Sequence, residues 1–267
     1  MREIDVTELK KLQIDILDYV NDFCKKNSIK YWIDAGTLIG AVRHKGYIPW
    51  DDDIDLGMLR EDYDKFCTLF NREANERYRV HNCENDPTFR YGYSKVMDHS
   101  TVLYEPDENG VKEAVNIDVF VYDNAPDSNL ILKWMYLKRN FYRALRSFQY
   151  DYTSFGSSTK IVATKFLRKI LTPYFKGKPG NYCVQKIVNN SKLYADKKTS
   201  RIGNFVGSIV ICCDKALFEK TIDLEFNGKM YPAPVGYHEY LTALYGNYME
   251  LPPEEKRVSH HHFKAYM

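Results

Sequence analysis

From Asp5 to Lys26 the apolar residues Leu9, Leu12, Ile16, Val20 and Phe23 recur three and four positions apart, which predicts a helix with one buried face. Asp5 with Glu8 three positions later supplies a capping-box start. The segment from Lys30 to Ile33 reads as a strand and that from Leu38 to Val42 as a short helix. At Ile54, Leu56 and Met58 the period drops to two, so this strand turns alternate side chains into a core. Helical spacing returns from Asp62 to Phe70, with Tyr63, Phe66, Leu69 and Phe70 inward. Tyr78 to His81, Tyr91 to Met97 and the almost wholly apolar Val115 to Val121 follow as strands.

Beyond them a long helix is expected from Leu130 to Tyr150, capped near Asp127 or Ser128, then a loop from Thr153 to Thr159. A second helix from Lys160 to Leu171 ends before Pro173, and Asn181 to Tyr194 reads as a third. Arg201 to Ile211 has the look of a glycine-containing strand, and Asp223 to Tyr231 that of a hairpin turning at Asn227-Gly228. Strands and helices mixed in this way specify an α/β (α+β) fold with a mixed sheet.

Composition narrows the class. With 267 residues, 44% hydrophobic and 28% charged, the chain can bury a sizeable core as one large domain or two small ones. No apolar run is long enough to span a bilayer, and the first residues lack the apolar core of a signal peptide. The six cysteines show neither Cys-x-x-Cys nor zinc-site spacing, so reduced thiols and a cytoplasmic location are expected.

The chemistry concentrates at Asp51, Asp52, Asp53 and Asp55. Residues two apart on a strand share a face, so Asp53 and Asp55 point together while Ile54 and Leu56 enter the core. Adjacent carboxylates raise each other's pKa, and a divalent cation relieves the repulsion. A calcium loop would need Gly and Glu where Leu56 and Asp62 stand, and a solvated acidic turn does not explain the alternation. Asp118, alone in an apolar strand, is a third metal carboxylate or else a structural aspartate paired to an arginine. Upstream, Gly36 and Thr37 at the start of a helix can offer N–H groups to an anion. Arg43, His44, Lys45 and Lys95 are candidate phosphate cations, and the lysines and Arg43 are equally readable as surface charges.

Gly36-Thr37-Leu38-Ile39-Gly40-Ala41-Val42-Arg43-His44, followed by Pro49-Trp50-Asp51-Asp52-Asp53-Ile54-Asp55-Leu56-Gly57, closely resembles the LicD family, which includes bacterial phosphorylcholine transferases and the animal proteins fukutin and fukutin-related protein. The Tyr-Gly and Pro-Pro-x-x-Lys wording between Tyr237 and Lys256 resembles the same family. The resemblance implies a polymerase-β-type nucleotidyltransferase core over 28–125, a helical insertion over 126–200, and a C-terminal part over 201–267 that completes the site, all in one LicD-like domain.

It further implies transfer of phosphorylcholine from CDP-choline to a sugar hydroxyl of a cell-surface glycan, teichoic acid or lipopolysaccharide in type and lipid-linked, with release of CMP. Asp53, Asp55 and Asp118 would then hold Mg2+ or Mn2+, with Asp118 as general base. Gly36, Thr37, Arg43, His44, Lys45 and Lys95 would bind the donor. A choline headgroup calls for an aromatic cage, for which Trp32, Trp50, Tyr91 and Tyr93 are candidates. Transfer of glycerol phosphate or ribitol phosphate from a CDP-polyol, nucleotidyl transfer from an NTP, and simple binding to an anionic surface are the alternatives.

Between Lys133 and Lys178 eleven Lys or Arg face only Asp151, a net +10 in a chain of net +2, with aromatic residues interleaved. Such asymmetry predicts contact with something anionic. The expectation is a peripheral contact with the inner face of a membrane. An ordinary helix pair with a solvated basic face is the plain alternative, and a nucleic-acid surface is disfavoured by the carboxylates.

Overall fold

The computed structural model describes residues 1–104, 112–149, 169–171, 173–258 and 264–267. Its centre is a mixed nine-stranded sheet ordered β1 (Glu3–Ile4), β11 (Lys264–Tyr266), β5 (Ser94–Tyr104), β6 (Lys112–Ala125), β3 (Asp55–Leu59) and β2 (Trp32–Ile33). Off this path β4 (Tyr78–His81) pairs with β5, and β7 (Arg201–Asn204) pairs with both β6 and β8 (Ile211–Asp214). Only β3 and β6 run parallel among the described pairs. A separate hairpin joins β9 (Thr221–Phe226) to β10 (Lys229–Pro234) through Asn227 and Gly228, both at positive φ. The two ends of the chain meet where Ile4 pairs with Ala265.

Helix α1 (Val6–Lys26) begins where the Asp5 side chain accepts the Glu8 N–H, and its buried stripe includes Leu9, Leu12, Ile16, Val20 and Phe23. Phe23 packs edge-on against Phe66 and Phe70 of α3 (Arg60–Glu73), so the two helices share one core with the sheet. Helix α2 (Ala35–His44) lies between β2 and β3. Helices α4 (Asn129–Gln149) and α5 (Tyr182–Ser191) pack on each other, and α6 (Tyr237–Tyr245) follows the hairpin.

Several expected bounds move. The strand expected from Lys30 forms ladder bonds only at Trp32 and Ile33, and the one expected from Tyr91 starts at Ser94. The strand expected over Arg201 to Ile211 is two strands. The Asn204 side chain accepts the N–H groups of Val206 and Gly207 and turns the chain back, which gives a loop over 205–210. Most of the helix expected from Lys160 to Leu171 and the loop before it lie outside the described residues.

Candidate active site

Ile54, Leu56 and Met58 are fully buried, which turns Asp53 and Asp55 to the opposite side at the start of β3. Gly57 is required there, because a Cβ would come within 2.3 Å of the Trp32 indole nitrogen. The parallel pairing of β3 with β6 sets Asp55 beside Asp118, and the antiparallel pairing of β6 with β5 sets Lys95 beside Asp118. Directly paired residues share a face. A transverse row Asp55, Asp118, Lys95 therefore crosses three strands.

The buried Lys95 ammonium lies 3.5 Å from Asp118 and 3.2 Å from Glu113, donates to Asn116, and sits 4.5 Å over the Tyr91 ring. Burial opposes its charge, but Asp118 and Glu113 outweigh burial and hold its pKa well above the ordinary lysine value. Asp118 is pushed up to about 6 by burial, with Lys95 pulling it back and Asp53 and Glu113 raising it. Its buried Oδ1 is the atom that faces the Lys95 ammonium, in an ion pair too long for a hydrogen bond. Burial followed by the Asp53 and Asp118 charges raises Asp55, and burial followed by Asp53 raises Asp51. Gly36 makes room for this cluster, since a Cβ would stand 2.7 Å from Asp51 Oδ2.

The cleft has two lobes that share Asp53, Asp55, Phe120, Gly207 and Ser208. One, about 340 Å³, is acidic and tyrosine-rich, with Asp34, Asp51, Tyr122, Tyr240 and Tyr245 in its wall. Buried Asp34 accepts from Tyr122 at 2.7 Å and from Tyr240 at 2.5 Å, which ties α6 to the start of α2. The other lobe, about 320 Å³, is lined by Asp53, Asp55 and Asp118, by Arg139, Arg143 and Arg146 of α4, and by Tyr91, Tyr93 and Phe120.

These arginines belong to the basic segment for which a membrane contact is expected; in the fold they stand three and four apart on α4 and line this lobe of the cleft. Arg139 is only 4% exposed and donates to the carbonyls of Phe205 and Gly207, and burial followed by Arg143 and Arg146 lowers its pKa to about 10. Arg143 reaches the Ser208 carbonyl and Arg146 that of Arg90. Among the described residues none of the three has a carboxylate within ion-pair distance. Carbonyls fix the direction of a guanidinium without neutralising it, so the row presents net positive charge to the cleft.

The other candidates are dispersed. Thr37 lines neither lobe; its hydroxyl accepts the Asp55 N–H at 2.8 Å and so braces β3 from α2. Gly36 lines the acidic lobe. Arg43 donates to His44 and to the Tyr248 carbonyl, and Lys45 pairs with Glu225. None of these three lines either lobe, because seven residues of helix rise carry Arg43 about 10 Å along α2 from Gly36. Of the aromatic candidates Tyr91 and Tyr93 line the basic lobe, whereas Trp32 is buried against Tyr122 and Phe218 and Trp50 lies beside Arg257.

Residues 28–157 match the family model described as LicD/FKTN/FKRP, nucleotidyltransferase domain. Over 276 aligned residues, covering 100% of both proteins, the chain is 30% identical to the lipopolysaccharide cholinephosphotransferase LicD of Haemophilus influenzae. The chain belongs to the LicD family. Shorter likenesses within it are to the ribitol 5-phosphate transferase FKRP of Mus musculus, 46% over 44 residues (16% of this chain and 9% of that protein), and to the ribitol-5-phosphate transferase FKTN of Mus musculus, 23% over 124 residues (46% and 23%). The LicD motif wording thus coincides with the carboxylate wall, while the arginine row comes from the helical segment.

The donor set suits a hard divalent ion such as Mg2+: all-oxygen and acidic, with burial and the Asp53 and Asp118 charges raising the Asp55 pKa, a repulsion that a bound cation would relieve. Among the described residues no three such side chains are gathered at ligand distance as they stand, so an ion would have to draw Asp53, Asp55 and Asp118 together.

Proposed function

We propose that this LicD protein is a phosphotransferase that moves phosphorylcholine from CDP-choline to a sugar hydroxyl of a cell-surface glycan, lipopolysaccharide or teichoic acid in type, releasing CMP. The observation that carries the reading is a cleft lined by three carboxylates and three arginines, in a chain matched from end to end by a cholinephosphotransferase.

Charge neutralisation and positioning are most of what cleaving a pyrophosphate bond demands. Asp53, Asp55 and Asp118 would hold Mg2+ or Mn2+, which when bound neutralises phosphate oxygens and stabilises the departing CMP. Arg139 is the fixed member of the arginine row, and Arg143 and Arg146 take the remaining phosphate charge. They serve in place of Arg43, His44 and Lys45, which lie at the far end of α2. Lys95 acts through Asp118, holding it ionised and aimed at the cleft. The acceptor oxygen forms a bond to the phosphorus that bears choline, the bond from that phosphorus to CMP breaks, and Asp118 accepts the hydroxyl proton. Its pKa of about 6 leaves it mostly ionised at pH 7, as a base must be. The ring of partly exposed Tyr245 in the acidic lobe suits the quaternary ammonium.

The test is CMP release with Mg2+ and a glycan acceptor, comparing CDP-choline, CDP-glycerol, CDP-ribitol and CTP. Fastest turnover of CDP-choline supports the reading. Preference for CDP-ribitol would place the protein with FKRP and FKTN in activity, and turnover of CTP alone would make it a nucleotidyltransferase.

A further inference from the structure

Helix α4 has two faces of opposite character. Arg139, Arg143 and Arg146 continue the buried side of Leu132 and Met135. Half a turn away, Leu130, Trp134, Leu137 and Phe141 are 82%, 65%, 55% and 58% exposed. At about 100° per residue these four fall within an arc of about 60°, and the arginines lie diametrically opposite. Lys133 and Lys138 border the apolar stripe, one on each side. The 21 residues of α4 include no Asp or Glu. Isolated exposed apolar side chains are ordinary, but a continuous stripe of four, two of them aromatic, marks a surface that something covers.

We infer that α4 docks the protein on an anionic lipid surface, with Leu130, Trp134, Leu137 and Phe141 entering the boundary between headgroups and acyl chains and Lys133 and Lys138 meeting lipid phosphates. An apolar centre bordered by lysines is the composition of an interfacial helix, and a tryptophan ring is favoured at that depth. The lack of any acidic side chain fits an anionic plane, where each flanking cation adds attraction. A second copy of the chain fits less well. A two-fold pairing of α4 on α4 would bring the same lysines together across the interface with no carboxylate on the helix to offset them. No helix among the described residues is long and apolar enough to cross a membrane, so α4 would lie in the plane of the surface. The described part of the segment expected at a membrane is thereby divided: Arg139, Arg143 and Arg146 serve the cleft and the exposed apolar residues of α4 serve the surface. The inference stands apart from the transferase reading, because turnover of a soluble acceptor needs no bilayer.

The experiment is flotation of the full chain with vesicles of equal phosphatidylglycerol and phosphatidylcholine, and with phosphatidylcholine alone, at low and high salt. Trp134 fluorescence serves as a depth probe, since Trp32 is buried and Trp50 half-buried. The expected results are binding to the anionic vesicles that salt weakens and a blue shift that Trp134→Phe removes. The double variant Trp134→Ala, Phe141→Ala should lower the bound fraction roughly tenfold or more. The variant Lys133→Gln, Lys138→Gln should weaken binding and flatten its salt dependence, which gives an independent reading if the first variant folds poorly. Turnover of a soluble acceptor should be the same in all of these proteins. No flotation with either vesicle, or flotation unchanged in both double variants, would overturn the inference. So would a wild-type dimer that Trp134→Ala, Phe141→Ala turns into a monomer without change in vesicle binding.

Discussion

Lys95 and Asp118 face each other across neighbouring strands with the ammonium 3.5 Å from the carboxylate, and the same ammonium serves Glu113 at 3.2 Å. One buried cation thus holds two largely buried carboxylates. Removing it strands both charges, and breaking a buried pair from one side costs about 3–5 kcal/mol. Lys95→Met should therefore lower the melting temperature by many degrees before any donor is added, and Lys95→Arg should restore part of the loss. A lysine that only binds donor would leave the melting temperature of the free protein unchanged in Lys95→Met.

Arg139 and Arg143 should separate structure from binding. Arg139→Met leaves the Phe205 and Gly207 carbonyls without their donors, at about 1–3 kcal/mol each, so it should melt early. Arg143 is exposed and, among the described residues, makes one hydrogen bond, to Ser208. Arg143→Gln should keep the wild-type melting temperature and raise KM for the donor roughly tenfold, the worth of a charged hydrogen bond. Calorimetry and steady-state kinetics on the two variants read the difference, and an unchanged KM in Arg143→Gln would remove this row from the donor site.

The carboxylate wall was legible because a strand has period two: buried Ile54, Leu56 and Met58 force Asp53 and Asp55 outward, and one charge in the apolar run around Asp118 asks for a partner. The arginine row was not legible. Arginines at positions 139, 143 and 146 share a helix face, but the periodicity does not say which way that face turns. What turns it inward is the 205–208 loop, some 65 residues away in sequence, whose carbonyls receive Arg139 and Arg143. Thr37 carries a role that spacing does not show: its hydroxyl accepts the Asp55 N–H, a contact set by the turn between α2 and β3. Asn204 hides a chain reversal in the same way, because an Asx turn leaves no trace in hydrophobic spacing.

Away from the cleft, Arg77 and Asp98 offer a pH test. Burial raises the Asp98 pKa, but the Arg77 guanidinium, at 2.7 and 3.0 Å, and Ser100 outweigh burial and set it below the ordinary value. A depressed pKa contributes stability above the unfolded value of about 3.9 and loses it as pH falls through the folded value. Asp98→Asn should melt several degrees below wild type at pH 7, and the gap should close below about pH 4 as the wild-type carboxylate takes up a proton. A gap that stays constant down to pH 3 would show that the ion pair contributes nothing.

Asp55 is the group on which the account turns, since burial and the charges of Asp53 and Asp118 make its ionised form costly in the free protein. Asn at this position removes that cost together with the proposed metal ligand. The deciding measurement is Mg2+-dependent CMP release from CDP-choline by wild type and Asp55→Asn, with the melting temperature of each recorded in chelator. Chelator should abolish wild-type turnover, and the variant should be at least as stable as wild type in chelator. Turnover in the variant should be lowered by a factor on the order of 10³. Near wild-type CMP release by Asp55→Asn, or wild-type release indifferent to chelator, would contradict it.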